Sequence, residues 1–164
     1  MIGLYKPELS ELWFRRKLLA DEATMSYNRA WGGTIPFPES EWKGFYDHWL
    51  IHHDNKRWYR YLKRSEDNVF VGETAYHFDD RRGIWLADVI VADEFRGRGC
   101  GTEGLRLMCR AAAKNGVDVL RDDIALDNPA VHMFFKAGFT EEYRTDKFIM
   151  LKKELSGSSG SGRE

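Results

Sequence analysis

The residues most able to do chemistry lie in one short stretch, Arg96-Gly97-Arg98-Gly99-Cys100-Gly101, followed by Thr102. Glycines let a backbone approach a ligand closely. An amphipathic run begins directly after the stretch, so the first amides and the positive end of a helix would face whatever the loop holds. With Arg96 and Arg98 added, the loop is an anion cradle suited to a pyrophosphate. Three glycines and two arginines, with Gly104 following just inside the helical run, exceed what a simple chain reversal needs.

Two phosphate-binding patterns compete for this loop. Gly99, Gly101 and Gly104 fit G-x-G-x-x-G, with Asp122 or Asp123 downstream at about the distance a dinucleotide fold requires. In that fold the first glycine follows its strand almost at once, whereas Ala92-Asp93-Glu94-Phe95 and two arginines intervene here. The remaining chain is also too short for a doubly wound parallel sheet. The second pattern, R-x-x-G-x-G, is filled by Arg96, Gly99 and Gly101.

Other reactive side chains give weaker signals. His48 and His52 stand one helical turn apart with His53 adjoining, yet no further ligand is coupled to them, so a solvated helix face is expected and no metal. Cys100 lies between glycines, a place suited to backbone binding rather than nucleophilic catalysis. It and Cys109 cannot build a disulfide scaffold or a four-ligand zinc site.

The elements that must position the loop follow from periodicity. Residues 12–19 predict a first strand, and Asp21 offers an N-cap to a helix towards Ala30. Glycine and proline between Trp31 and Pro38 break it. Trp42, Phe45 and Trp49 predict one face of a second helix ending at Asp54 and Asn55. Strands are predicted over 58–62, 69–78 and 84–91, with polar turns at 65–68 and 79–83. A strong helix over 102–114, stopped by Gly116, leads to a strand over 117–126. Pro129 starts a short helix that Gly138 ends, and strands over 139–143 and 147–155 close the chain. Strand, helix, strand between Ile84 and Leu126 implies a right-handed parallel crossover. The expected fold is α/β, with a central mixed, twisted sheet of about six to seven strands and about four flanking helices.

Composition sets the boundaries. The chain has 164 residues with 25 Lys+Arg against 26 Asp+Glu, a net charge of −1, which removes the footprint of a nucleic-acid binder. No apolar run approaches the ~20 residues of a membrane span, and Met1–Ser10 lacks a signal core, so a cytoplasmic protein is expected. Residues 1–155 are expected to form one domain, with the Ser/Gly-rich residues 156–164 as an appended flexible tail. Aromatic content is 14%, and Trp31, Trp42, Trp49 and Trp58 cluster in the first half with Phe37, Phe45, Tyr46, Tyr59 and Tyr61, mostly as core and in part as pocket wall.

From Ile84 to Phe139 the chain resembles the GNAT superfamily of acyl-CoA-dependent N-acyltransferases. The resemblance rests on Leu-Ala-Asp-Val-Ile-Val at residues 86–91, the R-x-x-G-x-G loop and its helix, Asp127-Asn128-Pro129, and Phe135-Lys136-Ala137-Gly138-Phe139. The expected element order agrees with that family, and the N-terminal half resembles its diamine-acetyltransferase-like members more loosely. The resemblance implies acetyl-CoA as cosubstrate. Backbone groups of Val89 and Val91 would pair with its pantetheine arm. Amides over Arg98, Gly99, Cys100, Gly101 and Thr102, next to Gly97 and helped by Arg96, would hold its pyrophosphate. Asn128 would contact pantetheine or acceptor, or else cap the helix at Pro129, and Lys136 would meet a CoA phosphate.

An amine acceptor must lose a proton before it attacks a thioester. At a pKa of roughly 10.4, about one molecule in a thousand is neutral at pH 7, a cost of about 4 kcal/mol that a placed carboxylate can offset. Asp88 and Glu73 are the catalytic candidates, both acids in otherwise apolar strands. Relatives acting on spermidine carry two adjacent acids where this chain reads Ala87-Asp88, so Asp88 matches the acceptor-binding one. Glu73's alternative is a salt-bridged residue on an exposed strand face. His77 and His132 are further base candidates. Many relatives place a tyrosine acid four residues before the glycine ending the short helix; that position is Phe134, leaving Tyr143 or water.

The expected reaction is direct acetyl transfer from acetyl-CoA to a small cationic amine, diamine- or polyamine-like, by an enzyme with a homodimer as its expected assembly. A protein or peptide amine and an aminoglycoside are the other acceptors considered. A non-catalytic CoA- or nucleotide-binding module is the alternative of another class. CoA should raise the thermal midpoint by mass action and NAD should not, and Gly99→Val should abolish the CoA effect because a Cβ occupies the phosphate's space. A shift with NAD alone would select the dinucleotide pattern.

Overall fold

In a computed structural model of the chain, the structure describes residues 1–155; the Ser/Gly tail lies outside the described residues. Among these, the strands are β1 (Ile2–Tyr5), β2 (Arg57–Arg64), β3 (Val69–Asp79), β4 (Ile84–Val91), β5 (Val119–Ala125), β6 (Thr140–Arg144) and β7 (Phe148–Glu154). The α-helices are α1 (Trp13–Ala20), α2 (Trp42–Tyr46), α3 (Cys100–Lys114) and α4 (Val131–Lys136). The sheet order is β1-β2-β3-β4-β5-β7-β6, antiparallel except for the parallel β4–β5 pair that α3 connects. This is the expected mixed α/β arrangement. No helix among the described residues is long and apolar enough to cross a membrane.

The largest departure from expectation is at residues 12–19, where a helix replaces the predicted strand. Leu12, Phe14, Leu18 and Leu19 are all buried, and two adjacent buried leucines break the alternation a half-buried strand requires. The first strand is instead Ile2–Tyr5, paired with Tyr61–Arg64. Asp21 does act as a local cap, its carboxylate accepting the Thr24 N–H at 3.0 Å, but the turn that follows, Thr24–Trp31, is a 3-10 helix. The second aromatic helix begins as α2 and ends in a π-helical turn, Asp47–Ile51, before Asp54 and Asn55 take positive φ.

Two apolar layers sandwich the sheet. Leu105, Met108 and Ala112 of α3 and Phe134 of α4 cover one face, against Trp58, Tyr76, Ala87 and Leu120. The α1 and α2 region covers the other, where Phe14, Leu18, Phe37 and Leu50 meet Tyr59, Tyr61, Ala75 and Ile90. Most of the clustered aromatics are therefore core. Gly104 permits the α3 packing, since a Cβ there would lie 2.6 Å from Leu62 Cδ1.

Within the aromatic layer sits a buried ion pair. The Arg15 guanidinium bonds the Glu73 carboxylate, which also accepts the Tyr59 hydroxyl. Arg15 Cζ lies 4.3 Å from the centroid of Phe45 and 5.2 Å from that of Phe37. Burial opposes the Arg15 charge, but the Glu73 carboxylate more than offsets it, so the guanidinium is held more firmly protonated than usual. Removing one partner of such a pair strands the other charge. Glu73→Gln is expected to destabilise the protein by about 3–5 kcal/mol, and Arg15→Met with Glu73→Gln by clearly less, in urea unfolding. A Glu73→Gln loss below about 0.5 kcal/mol would show that the pair carries no structural weight.

Candidate active site

The central event in the sheet is a parting of strands. β4 and β5 pair only at Trp85–Leu120 and Leu86–Arg121, then separate. The gap opens into a cleft of about 1020 Å³ whose walls include Asp88, Val89, Ile90 and Val91 on one side and Asp122, Asp123, Ile124 and Ala125 on the other. The backbone of β4 alternates in direction. Ala92 N–H bonds Val71 and Asp88 C=O accepts the Thr74 hydroxyl, both towards β3, so the polar groups of Val89 and Val91 face the opening. Val91 C=O is already taken by Arg96 Nε at 3.1 Å.

At the cleft's end lies the glycine loop. Gly97 and Gly99 take φ of +76° and +82°, the left-handed region that glycine enters without strain. The first intrahelical bond of α3 runs from Glu103 N–H to Gly99 C=O at 3.0 Å. The amides of Cys100, Gly101 and Thr102 therefore lie ahead of that bond, without intrahelical acceptors and at the helix's positive end. Gly97, Gly99, Cys100, Gly101 and Thr102 all line the cleft. The chemistry of this donor set fits a pyrophosphate, with an extended strand edge beside it that fits an amide-containing arm.

Several expected contacts have other partners. Arg96 lines the cleft, but its guanidinium bonds Thr24 C=O at 2.6 Å as well as Val91, so it staples the loop to the 3-10 turn. Arg98 is exposed and is not among the lining residues. Asn128 lines the cleft and also caps: its Oδ1 accepts the Ala130 N–H at 3.0 Å. Lys136 lies at the rim, near the N-terminal side of the Gly138 stop.

The two expected carboxylates are in different settings. Glu73 is 3% exposed, engaged by Arg15 and Tyr59, and lies outside the cleft lining. The salt-bridged alternative thus describes its contacts, on a covered rather than an exposed face. Asp88 is exposed, correcting the expectation of an apolar enclosure. Its side chain opens into a deep cleft where protein replaces much of the bulk water, and that desolvation, with the Glu73 charge behind it, pushes its pKa up to about 6. Arg15 pulls the other way.

Three neighbours are not assigned to acetyl transfer by sequence, Asp122 and Asp123 entering only through the dinucleotide pattern. Asp122 is half-buried, and burial followed by the Asp88 charge holds its carboxyl well above the ordinary range. Asp123 is paired with Arg82 at 3.1 Å. Tyr27 lines the cleft, its phenol pushed up by burial, then by Asp88 and Glu73. No sequence period marks Tyr27, because a 3-10 turn brings it there. Phe134 is 2% exposed and packs on Phe139, while Tyr143 meets Phe148 edge-on outside the cleft lining. His77 packs edge-on to Trp49, and burial lowers its pKa; neither it nor His132 lines the cleft. No group of three or more metal-ligating side chains stands together among the described residues.

Comparison with known proteins agrees with this geometry. The chain matches no curated protein sequence. Its fold is similar to spermidine N-acetyltransferase from Vibrio cholerae solved with CoA and spermine, at TM-score 0.72 and 21% identity, over 94% of this chain and 96% of that one. It is also similar to aminoglycoside acetyltransferase AAC(6')-Ib solved with ribostamycin and coenzyme A, at TM-score 0.75 and 14% identity, over 99% and 98%. A GNAT-family acetyltransferase from Bacillus anthracis gives TM-score 0.72 at 13% identity, over 94% and 95%. The model of the acetyltransferase (GNAT) family matches residues 17–139, which span the aromatic layer, the parted strands and the loop. The chain therefore belongs to the GNAT acetyltransferase family, as an N-acetyltransferase with acetyl-CoA as its cosubstrate.

Proposed function

We propose that the acceptor is a small cationic amine, diamine- or polyamine-like, bound through Asp88. The observation that carries this is a carboxylate open to the cleft beside the outward-facing backbone of Val89, with the Asp122 carboxyl, held towards its neutral form, as a further hydrogen-bonding group across the gap. A protonated amine entering there gains a counterion without displacing any existing ion pair of Asp88. Acetyl-CoA supplies an activated acyl group. In this reading the cleft's backbone amides orient it, and the loop amides over Cys100, Gly101 and Thr102 hold its phosphates.

Asp88 is also the better-placed proton acceptor of the two catalytic candidates. Its raised pKa narrows the gap to an amine, and it reaches solvent, whereas Glu73 is committed to Arg15. Glu73 then serves by holding the aromatic wall in place. Tyr27 is the one tyrosine among the cleft-lining residues, so it takes the role of proton donor to the leaving thiolate in place of Phe134. A peptide amine or an aminoglycoside fits the same charge pattern and differs in size.

Release of free CoA from acetyl-CoA, followed across diamines, polyamines, peptides and aminoglycosides, tests the reading. Short diamines and polyamines should be turned over fastest. No release with any amine, in a protein that still binds CoA, would favour a binding module. Acceptor affinity should fall as pH drops through about 6, where Asp88 takes up its proton, and Asp88→Asn should weaken the acceptor about tenfold or more with acetyl-CoA unaffected. Because the folded protein binds that proton more tightly than the unfolded chain, Asp88 costs stability above pH 6 and the cost fades towards the ordinary carboxylate range. Asp88→Asn should therefore raise the thermal midpoint at pH 7, with a smaller gain at pH 5; a loss at pH 7 contradicts the assignment.

Tyr27→Phe should lower kcat by about a hundredfold, the scale of a lost general acid, while leaving the KM for acetyl-CoA nearly unchanged. With its phenol pushed upward, the unaltered enzyme should climb with pH to a plateau that persists to about pH 10. Unchanged kcat in the variant would return thiolate protonation to water.

A further inference from the structure

A second cleft lies at the sheet's other end. β1 pairs with β2 only over Tyr61–Arg64, so the earlier half of β2, from Arg57 to Arg60, has no strand on its outer side. Beside that unpaired edge is a cleft of about 400 Å³. Lys6, His53, Arg57 and Arg60 line it, together with Trp58 and Tyr76, and no carboxylate does.

Several arginines elsewhere are matched locally, Arg64 with Asp67, Arg82 with Asp79 and Asp123, Arg121 with Glu142, while others, Arg98 among them, are exposed without an ion pair. What sets this cleft apart is that three cations line one concavity that no carboxylate lines. Lys6, Arg57 and Arg60 form no ion pair among the described residues. Arg60 is half-buried, and burial works against its charge, with only the phenols of Tyr76 and Tyr46 acting in its favour. Its guanidinium donates to Tyr59 C=O at 2.7 Å and lies 5.1 Å over the Trp58 ring. Trp58 in turn stacks on Tyr76 at 5.3 Å and 10°. The Tyr76 hydroxyl accepts from Asn115 Nδ2 at 2.7 Å, which leaves its own proton free to donate. The arginine is thus held rigidly against an aromatic floor, beside two further cations, with no internal anion to balance them.

In a chain whose net charge is −1, such a gathering is not a by-product of basic composition. Like charges in a concave, partly desolvated place raise the local potential and concentrate counterions there. A volume of this size falls in the range of small-molecule sites. A single chloride would leave most of it unfilled.

We propose that this cleft is a second binding site, separate from the acetyl-CoA cleft, for a small organic anion with two or more negative charges, a phosphate ester or a polycarboxylate. Arg57 and Arg60 supply forked donors to its oxygens and Lys6 a mobile third charge. The two clefts share no lining residue, so the site's existence does not depend on which amine the enzyme acetylates.

Saturating CoA should first be added, so that the glycine loop is filled and cannot capture the probe. Inorganic pyrophosphate and citrate are then titrated separately, with calorimetry and tryptophan fluorescence as readouts. At least one should bind at one site per chain without displacing CoA, and more weakly as salt is raised. Pyrophosphate alone would identify a phosphate ester, citrate alone a polycarboxylate, and both a site that reads charge. Arg57→Gln with Arg60→Gln should weaken binding at least about tenfold with the CoA-induced rise in thermal midpoint unchanged. Lys6→Gln, at an exposed position, should weaken it severalfold in a protein whose folding is not in question. Absence of binding by both anions at roughly 10 mM, displacement of CoA, or full affinity in the Lys6 and arginine variants would each overturn the proposal.

Discussion

Everything functional in this molecule depends on two parallel strands that stop pairing. After Leu86 and Arg121, β4 and β5 no longer bond each other, and β4 presents polar backbone to the space between them. Unpaired buried backbone is costly, so such an edge is tolerated only where something else bonds it. Arg96 satisfies one carbonyl, and the remainder is what an extended, amide-bearing ligand requires. The same parting sets Asp88 and Asp122 on facing walls and aims the start of α3 at the gap.

The aromatic layer on the opposite side of β3 explains how this opening is kept in shape. Glu73 sits in the strand next to β4, and its bonds to Arg15 and Tyr59 tie α1 to the sheet. Phe37 and Phe45 close over the guanidinium, so a charge pair is enclosed by rings rather than by water. One carboxylate is thereby neutralised and fixed. Asp88, on the neighbouring strand and the same face, is left as the acid that can meet a ligand.

Charge is partitioned accordingly across the molecule. At the parted strands Asp88 faces the cleft without an ion pair, and where β1 runs out beside β2 the cations Lys6, Arg57 and Arg60 line a cleft that no carboxylate lines. Both places are interruptions of sheet pairing, one internal and one at an edge. An interrupted sheet leaves concave surface and free backbone, which are the two ingredients of a small-molecule site.

The sequence by itself determined the loop, the helix after it and the crossover, because their signals are local. Glycine's freedom at residues 97 and 99, the 3.6-residue period of α3 and the apolar run of β4 are written in neighbouring residues. It misassigned residues 12–19, where hydrophobics at one helical face also admit a strand reading until Leu18 and Leu19 are seen buried together. It could not separate the roles of Asp88 and Glu73, since both are single acids in apolar strands. Only the tertiary structure sets their surroundings apart: Arg15 and Tyr59 arrive at Glu73 from segments 58 and 14 residues away, while Asp88 faces a gap that exists only because β5 departs. Tyr27 and the basic cleft at Arg57 and Arg60 belong to the same class. Their surroundings are assembled by long-range packing, and no spacing in the chain encodes which side chains packing will bring together.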